Sequence, residues 1–540
     1  MKGWRRFCLI VLISGVILRF YNLSGQLYWH DEAFTSLRIS GYTAEEVKQE
    51  IFTGELIQVK DLQKYQNSNR DRNISHVIDA LALEDSQHPP LYYILIKLWA
   101  DWFGSSIPVI RSFSALISLL VFPCLYWLCW ELFRSPLVGW MAIAIASVSP
   151  YFFLYAREAR QYSLWTVTIL LTGILLLRSI RLTREEIPFQ QSFKNWGGYA
   201  IALTFSFYTF PISAIVAIGQ GIYVLIAETL LNRFHRFKSL LFYSFASCFS
   251  ILLFSPWVAI MISSWSKTGP SWTERPLPLL IWLKLWGMHF SRFFIFSIDG
   301  FGFHTLLNYI TLPIFILLFL YSLYFLCRQT PVKVWLFILI LTLIIPFALA
   351  SPDLLWGGQR STSSRYLLPM YLGMDIAIAY LFTAQILQSR FWPSFFWKSI
   401  TLATISLGLI SCLFYVNAEA SWIKGVSFNN PEIVRAIAPS SKSLLITTSA
   451  EINFGNILAL SHVLDPNINL LLIDVYAPSD WEIIAKIPES FQNIYFLNVS
   501  DRWRQKFENQ YNFQTKPIYS DTFLWLWQKN QKFRSMGVLS

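Results

Sequence analysis

Four short stretches of this chain hold residues whose types could do chemistry together. The first is Tyr28-Trp29-His30-Asp31-Glu32-Ala33-Phe34, in which two adjacent carboxylates sit among aromatic side chains. Carboxylates in apolar surroundings are costly unless they are used. A positioned carboxylate can take a proton from an attacking hydroxyl. The plainer reading is a helix cap, with Asp31 capping a helix that begins at Ala33. The second stretch is Gln87-His88-Pro89-Pro90-Leu91-Tyr92-Tyr93, which by itself reads as a helix start with proline in its first turn. The third is Arg157-Glu158-Ala159-Arg160-Gln161-Tyr162, and the fourth carries Arg360 and Arg365-Tyr366. Arginines suit phosphate, because the planar guanidinium offers paired donors. His30, His88 and His289 are scattered and read as polar contacts, so no metal-ligand spacing is evident and no cofactor is implied.

The elements that must position these residues are apolar helices. The chain has 540 residues, 54% of them hydrophobic and 14% charged, where a soluble domain carries about 25% charged residues. Eleven apolar runs stand out, at 4–20, 112–130, 137–153, 162–177, 199–209, 213–231, 240–263, 306–327, 334–350, 366–387 and 399–417. About 20 apolar residues cross a bilayer as a helix. The expectation is therefore a mainly α, polytopic membrane protein with about 11 transmembrane helices. The first run follows Lys2, Arg5 and Arg6 as in a signal peptide, but bulky Tyr21-Asn22-Leu23 offers no cleavage site, and the run reads as a retained helix.

Charge sets the expected orientation. With residue 1 in the cytoplasm, every inner loop is basic: Lys2, Arg5 and Arg6; Arg134; Arg178, Arg181, Arg184 and Lys194; Arg233, Arg236 and Lys238; Arg328 and Lys333; Arg390 and Lys398. This is the positive-inside pattern. It also accounts for the net charge of +11 without nucleic acid. The run at 89–103 holds Lys97 and Asp101 and is short. Counting it as a span would invert every later loop, so it reads as a half-embedded interfacial helix. Two large outer loops follow, 22–111 and 264–302. The first holds a capping box at Thr43 and Glu46. In the second, Trp282, Trp286, Phe290 and Phe294 form one stripe, which suits either a surface helix or a core-packed one.

The domain expectation is a membrane domain over 1–417 and an extracytoplasmic α/β domain over 418–540. In the tail, 443–448, 469–475 and 492–498 read as β runs with helices near 454–463 and 481–487, implying a small parallel sheet. No Gly-rich nucleotide motif accompanies it. All six cysteines lie in apolar runs, so no disulfide framework is expected.

Taken in order, Asp31-Glu32, His88-Pro89-Pro90-Leu91-Tyr92-Tyr93, Tyr155-Ala156-Arg157-Glu158-Ala159-Arg160-Gln161-Tyr162 and Arg365-Tyr366-Leu367-Leu368-Pro369 resemble family 39-type glycosyltransferases of the GT-C fold, similar to protein O-mannosyltransferases and the bacterial aminoarabinose transferase. The resemblance implies transfer of a sugar from a polyprenyl-phosphate donor to an acceptor hydroxyl, on lipid, glycan or protein, with inversion. It implies Asp31 as the base, Glu32 as its orienting neighbour and Glu158 as a second acid. Arg157, Arg160, Arg365 and Tyr366 would hold the donor phosphate, and His88, Pro89, Pro90 and Tyr162 would shape the site. Gln161 departs from the pattern, where a proline or apolar residue is expected. The implied setting is a plasma (inner) membrane.

The main rival is a transporter or flippase. Such proteins show internal repeats and midplane charges. Here no repeat is visible, and of the span charges Arg19, Glu228 and Asp375 the first two lie near span ends. A membrane scaffold acting through its tail is the other rival, though the tail shows no interaction motif.

Overall fold

The computed structural model describes residues 2–69, 71–185, 188–231, 237–264, 272–296, 306–388, 393–450, 452–474, 487 and 490–530. Arg233, Arg236, Arg390 and, of the expected helix at 481–487, all but residue 487 lie outside the described residues. The chain divides into two compact units.

The first unit comprises Met1–Leu23, Leu81–Leu95 and Ile110–Asn417. It is helical, and all eleven apolar runs are helix. Among the described residues seven helices are long and apolar enough to cross a membrane, and eight if the bent pair Pro136–Val148 and Pro150–Ala156 counts as one span. The other runs of the expected eleven are the helices Lys2–Phe20 and Phe189–Thr209 and the shorter apolar Ser213–Thr229. Large apolar side chains such as Phe245, Leu252, Leu317 and Phe347 stand exposed on these helices. Helices hydrophobic on their outer faces need lipid around them. The chain is a multi-pass membrane protein.

Two prolines set the breaks that matter for function. A residue before proline is pushed out of the helical region into extended conformation. Ser149 precedes Pro150 at ψ 119°, and the two helical segments meet there at 65°. Phe210 precedes Pro211 at φ −159° and ψ 124°, ending the helix Phe189–Thr209. Elsewhere, the aromatic stripe on the helix Leu279–Ser291 continues into the next turn, and Phe290 and Phe294 pack on Phe319 and Phe315 of the helix Leu306–Gln329. That end of the stripe is protein core.

The second unit comprises Ser24–Ala80, Ile96–Val109 and Ala418–Ser540. Its sheet has six strands: β1 (Thr53–Gln58), β2 (Ser443–Thr448), β3 (Asn469–Ile473), β4 (Asn493–Leu497), β5 (Thr515–Ser520) and β6 (Trp525–Lys529), in the order β1-β3-β2-β4-β6-β5. The expected parallel sheet is its centre, since β2 pairs parallel with both β3 and β4. Antiparallel strands flank it, and β1 comes from the first outer loop. The division between Asn417 and Ala418 falls where the sequence reading put it, but the tail shares its unit with residues 24–80 and 96–109. One face buries Leu444, Ile446, Leu471, Ile494 and Phe496 beneath Trp503 and Phe507 of the helix Asp501–Tyr511. The capping box forms as read, with Glu46 N–H donating to Thr43 Oγ1 at 3.0 Å and Thr43 N–H to a Glu46 carboxylate oxygen at 2.8 Å.

Candidate active site

In the first unit the turn 157–161 joins the bent pair to the helix Tyr162–Arg184. Its four polar side chains are all buried, yet they do different work. Arg157 donates to the carbonyls of Leu18, Tyr21 and Asn22 at 2.6, 2.7 and 2.9 Å. Those are carbonyls at the end of the helix Lys2–Phe20, which have no partner within the helix. Burial pushes the Arg157 guanidinium down to about 10, still a cation at neutral pH. Its position is that of a helix clamp, so the expected phosphate contact is not where the structure puts this residue.

Arg160 points elsewhere. One amino group meets His88 Nε2 at 2.9 Å and the other donates to the Tyr93 hydroxyl at 3.2 Å. His88 in turn contacts the Asp85 carboxylate through Nδ1 at 2.7 Å. The proline-bearing turn thus delivers His88 and Tyr93 onto the arginine, while Pro89 and Pro90 begin the helix Leu91–Phe103.

Phe210 gathers the motifs. The extended backbone before Pro211 turns its ring among those of His88, Tyr162, Trp165 and Tyr366, at centroid distances of 6.5, 6.4, 4.9 and 6.0 Å. Three motifs far apart in the chain so meet on one aromatic side chain. Tyr155 ties in the fourth piece: its hydroxyl pairs with Ser364 Oγ at 2.9 Å, and both Glu158 and Arg365 act on it electrostatically. Arg365 also lies over the Trp272 and Tyr366 rings, 5.5 Å from each centroid. Its loop is locked by Asp353, which accepts from the Arg360 and Ser361 amides at 3.1 and 2.7 Å. The cluster sets side chains suited to holding an anion beside a buried acid. Arg160 and Arg365 supply cations, the rings a flat apolar wall, and Glu158 a carboxylate.

Asp31 and Glu32 belong to the second unit. Their helix, His30–Ile39, starts earlier than the cap reading required, with Trp29 at the cap position and no side-chain cap bond. Asp31 lies in the first turn, half-buried, where the helix dipole favours a negative charge. Glu32 is fully buried and pairs with Lys424 at 3.0 Å. Its charge is balanced by that ammonium, which leaves Asp31 as the more accessible of the two carboxylates.

Sequence reasoning missed Phe210, Asp85, Asp353 and Lys424. Phe210-Pro211 lies in the gap between the apolar runs 199–209 and 213–231, and Asp85 is an acid three residues before His88. Nothing in the sequence pairs Lys424 with Glu32, 392 residues away. Among the described residues no three His, Cys, Asp or Glu side chains gather as metal ligands.

Comparison with known proteins agrees with this architecture. Residues 87–260 match the family model of dolichyl-phosphate-mannose-protein mannosyltransferases. No curated protein matches the chain. Its structure is similar to ArnT from Cupriavidus metallidurans in the apo state, with a TM-score of 0.52 at 11% identity and 98% of each chain covered. ArnT bound to undecaprenyl phosphate gives a TM-score of 0.49 at 11% identity, over 98% of this chain and 99% of that one. The oligosaccharyltransferase AglB from Archaeoglobus fulgidus, in complex with an inhibitory peptide and a dolichol-phosphate, gives 0.49 at 15% identity, over 86% of this chain and 64% of that one. The likeness to apo ArnT shows the GT-C fold, and the matched segment contains His88, Glu158, Arg160, Tyr162 and Phe210. The chain is a membrane glycosyltransferase with the GT-C fold.

Proposed function

We propose that the protein moves a sugar from a polyprenyl-phosphate donor to an acceptor hydroxyl, with inversion, on the extracytoplasmic face. The observation that supports this best is the gathering of Arg160 and Arg365 with buried Glu158, His88 and Tyr366 about Phe210. The acceptor oxygen attacks the anomeric carbon as the carbon–oxygen bond to phosphate breaks. Asp31 takes the hydroxyl proton. The polyprenyl phosphate leaves as an anion, and the two arginines stabilise its growing charge. Positive charge builds at the sugar in such a transition state, and Glu158 is the carboxylate placed to offset it. Arg157 drops out of the donor set, because its donors are engaged by the first helix's carbonyls. Glu32 acts at a distance, through the buried pair with Lys424 that holds the Asp31 helix. The acceptor stays open among lipid, glycan and protein hydroxyls.

Two experiments test the reading. Purified protein in detergent should bind polyprenyl phosphate saturably, with an excess of inorganic phosphate competing weakly because the lipid contacts are absent. Equal competition by inorganic phosphate would reject a lipid-linked donor. For the face, if all eleven apolar runs cross the bilayer, the two ends lie on opposite sides, and the positive-inside pattern puts the basic loops in the cytoplasm. An impermeant thiol reagent on intact cells should label Ser441→Cys and spare Glu185→Cys, over the wild-type background. The reverse pattern would move the site to the cytoplasm.

A further inference from the structure

The polar chain Asp85–His88–Arg160 carries more than the donor contact alone. A guanidinium has donors only. The 2.9 Å approach of Arg160 Nη2 to His88 Nε2 therefore requires Nε2 to accept, and the imidazole proton to sit on Nδ1. From there it donates to Asp85, 2.7 Å away. The turn that holds the pair is pinned twice: His88 N–H donates to the Asp85 carbonyl at 2.9 Å, and Trp257 Nε1–H donates to the Ser86 carbonyl at 2.9 Å. Around the imidazole stand Asp85 from its own turn, the Tyr93 ring and hydroxyl from the helix Leu91–Phe103, Arg160 from the turn 157–161, and the uncharged Phe210 ring, stacked at 14°. Asp85 and Arg160 are the charged groups among them.

We propose that Asp85 and His88 are positioning residues that set the Arg160 guanidinium for the donor phosphate, and that this setting is lost when His88 takes a second proton. The doubly protonated ring would present an N–H to the N–H of Arg160 beside a second positive charge. Both effects drive the guanidinium off its place. The inference rests on Arg160 being a donor contact. It adds that acid weakens donor engagement through His88, apart from any effect on the base.

The test is the donor KM, with polyprenyl-phosphate sugar, from alkaline to mildly acidic buffer. For the wild type, KM should rise as pH falls. Asp85→Ala should raise KM by about 5- to 10-fold at neutral pH, the size of one or two lost hydrogen bonds, with a smaller change in kcat. His88→Gln keeps an acceptor oxygen toward Arg160 but loses the Nδ1–H bond to Asp85 and has no proton to gain, so its KM should sit above the wild-type value at neutral pH and lie flat with pH. In an Arg160→Ala background Asp85→Ala should add little, since residues acting through one another are not additive. If Arg160→Ala raises KM but Asp85→Ala does not, or if His88→Gln follows the wild-type pH curve, the relay is overturned while the donor reading stands. If Arg160→Ala leaves KM unchanged, the donor role of Arg160 fails, and the relay with it.

Discussion

Asp31→Asn should lower turnover by ~10²–10⁴-fold, the usual range for a positioned acid–base group. The amide keeps the size of the carboxylate and its first-turn place in the helix His30–Ile39, but it cannot accept a proton. Protein level and donor binding should be largely kept, since Asp31 is half-buried and lies outside the spans. Glu32→Gln should behave differently. It breaks a buried ion pair and leaves Lys424 uncompensated, a change that is strongly destabilising when one partner is removed. Loss of folded protein, more than loss of turnover, is the expected result there. The checks are the transfer rate at saturating donor and the yield of folded protein from the same membranes. Near-wild-type turnover in Asp31→Asn would remove it as the base and leave Glu158 as the candidate.

Arg365→Ala should raise the donor KM by ~10–100-fold, because hydrogen bonds to charged groups contribute about 1.5–3 kcal/mol each. Arg365→Lys should recover only part of this. A lysine offers a point charge without the paired donors, and it loses guanidinium stacking over Trp272 and Tyr366. The loop itself should survive, since Asp353 locks it through Arg360 and Ser361 and not through Arg365. An Arg365→Ala enzyme with wild-type donor dependence would place the phosphate elsewhere.

Much of this was legible because the bilayer imposes a simple rule. A span needs length and apolar composition, and all eleven apolar runs are helix. The central strands β2, β3 and β4 were legible for a related reason: they are buried on both faces and read as continuous Leu and Ile runs. The edge strands were not. β1 and β5 are partly exposed and mix polar with apolar residues, so no pattern separated them from loop. With them went the share of residues 24–80 in the tail's unit, since β1 pairs with β3, hundreds of residues further along the chain. For the site, the order of motifs picks out segments but not each side chain's direction. An arginine that clamps helix carbonyls, as Arg157 does, has the same letters around it as one that faces an anionic neighbour. Phe210 escaped notice because a lone aromatic in an apolar run carries no signal until its proline break is seen in space.

The central claim is the identity of the donor, and one measurement meets it directly. Purified wild-type protein is reconstituted in vesicles with an acceptor-containing membrane extract and offered a radiolabelled polyprenyl-phosphate sugar or, separately, the same sugar as its nucleotide diphosphate. The account predicts label transferred from the lipid-linked sugar, with polyprenyl phosphate released in equal amount, and no transfer from the nucleotide sugar. Transfer from the nucleotide sugar alone, with the lipid-linked donor left intact across a panel of sugars, would contradict it.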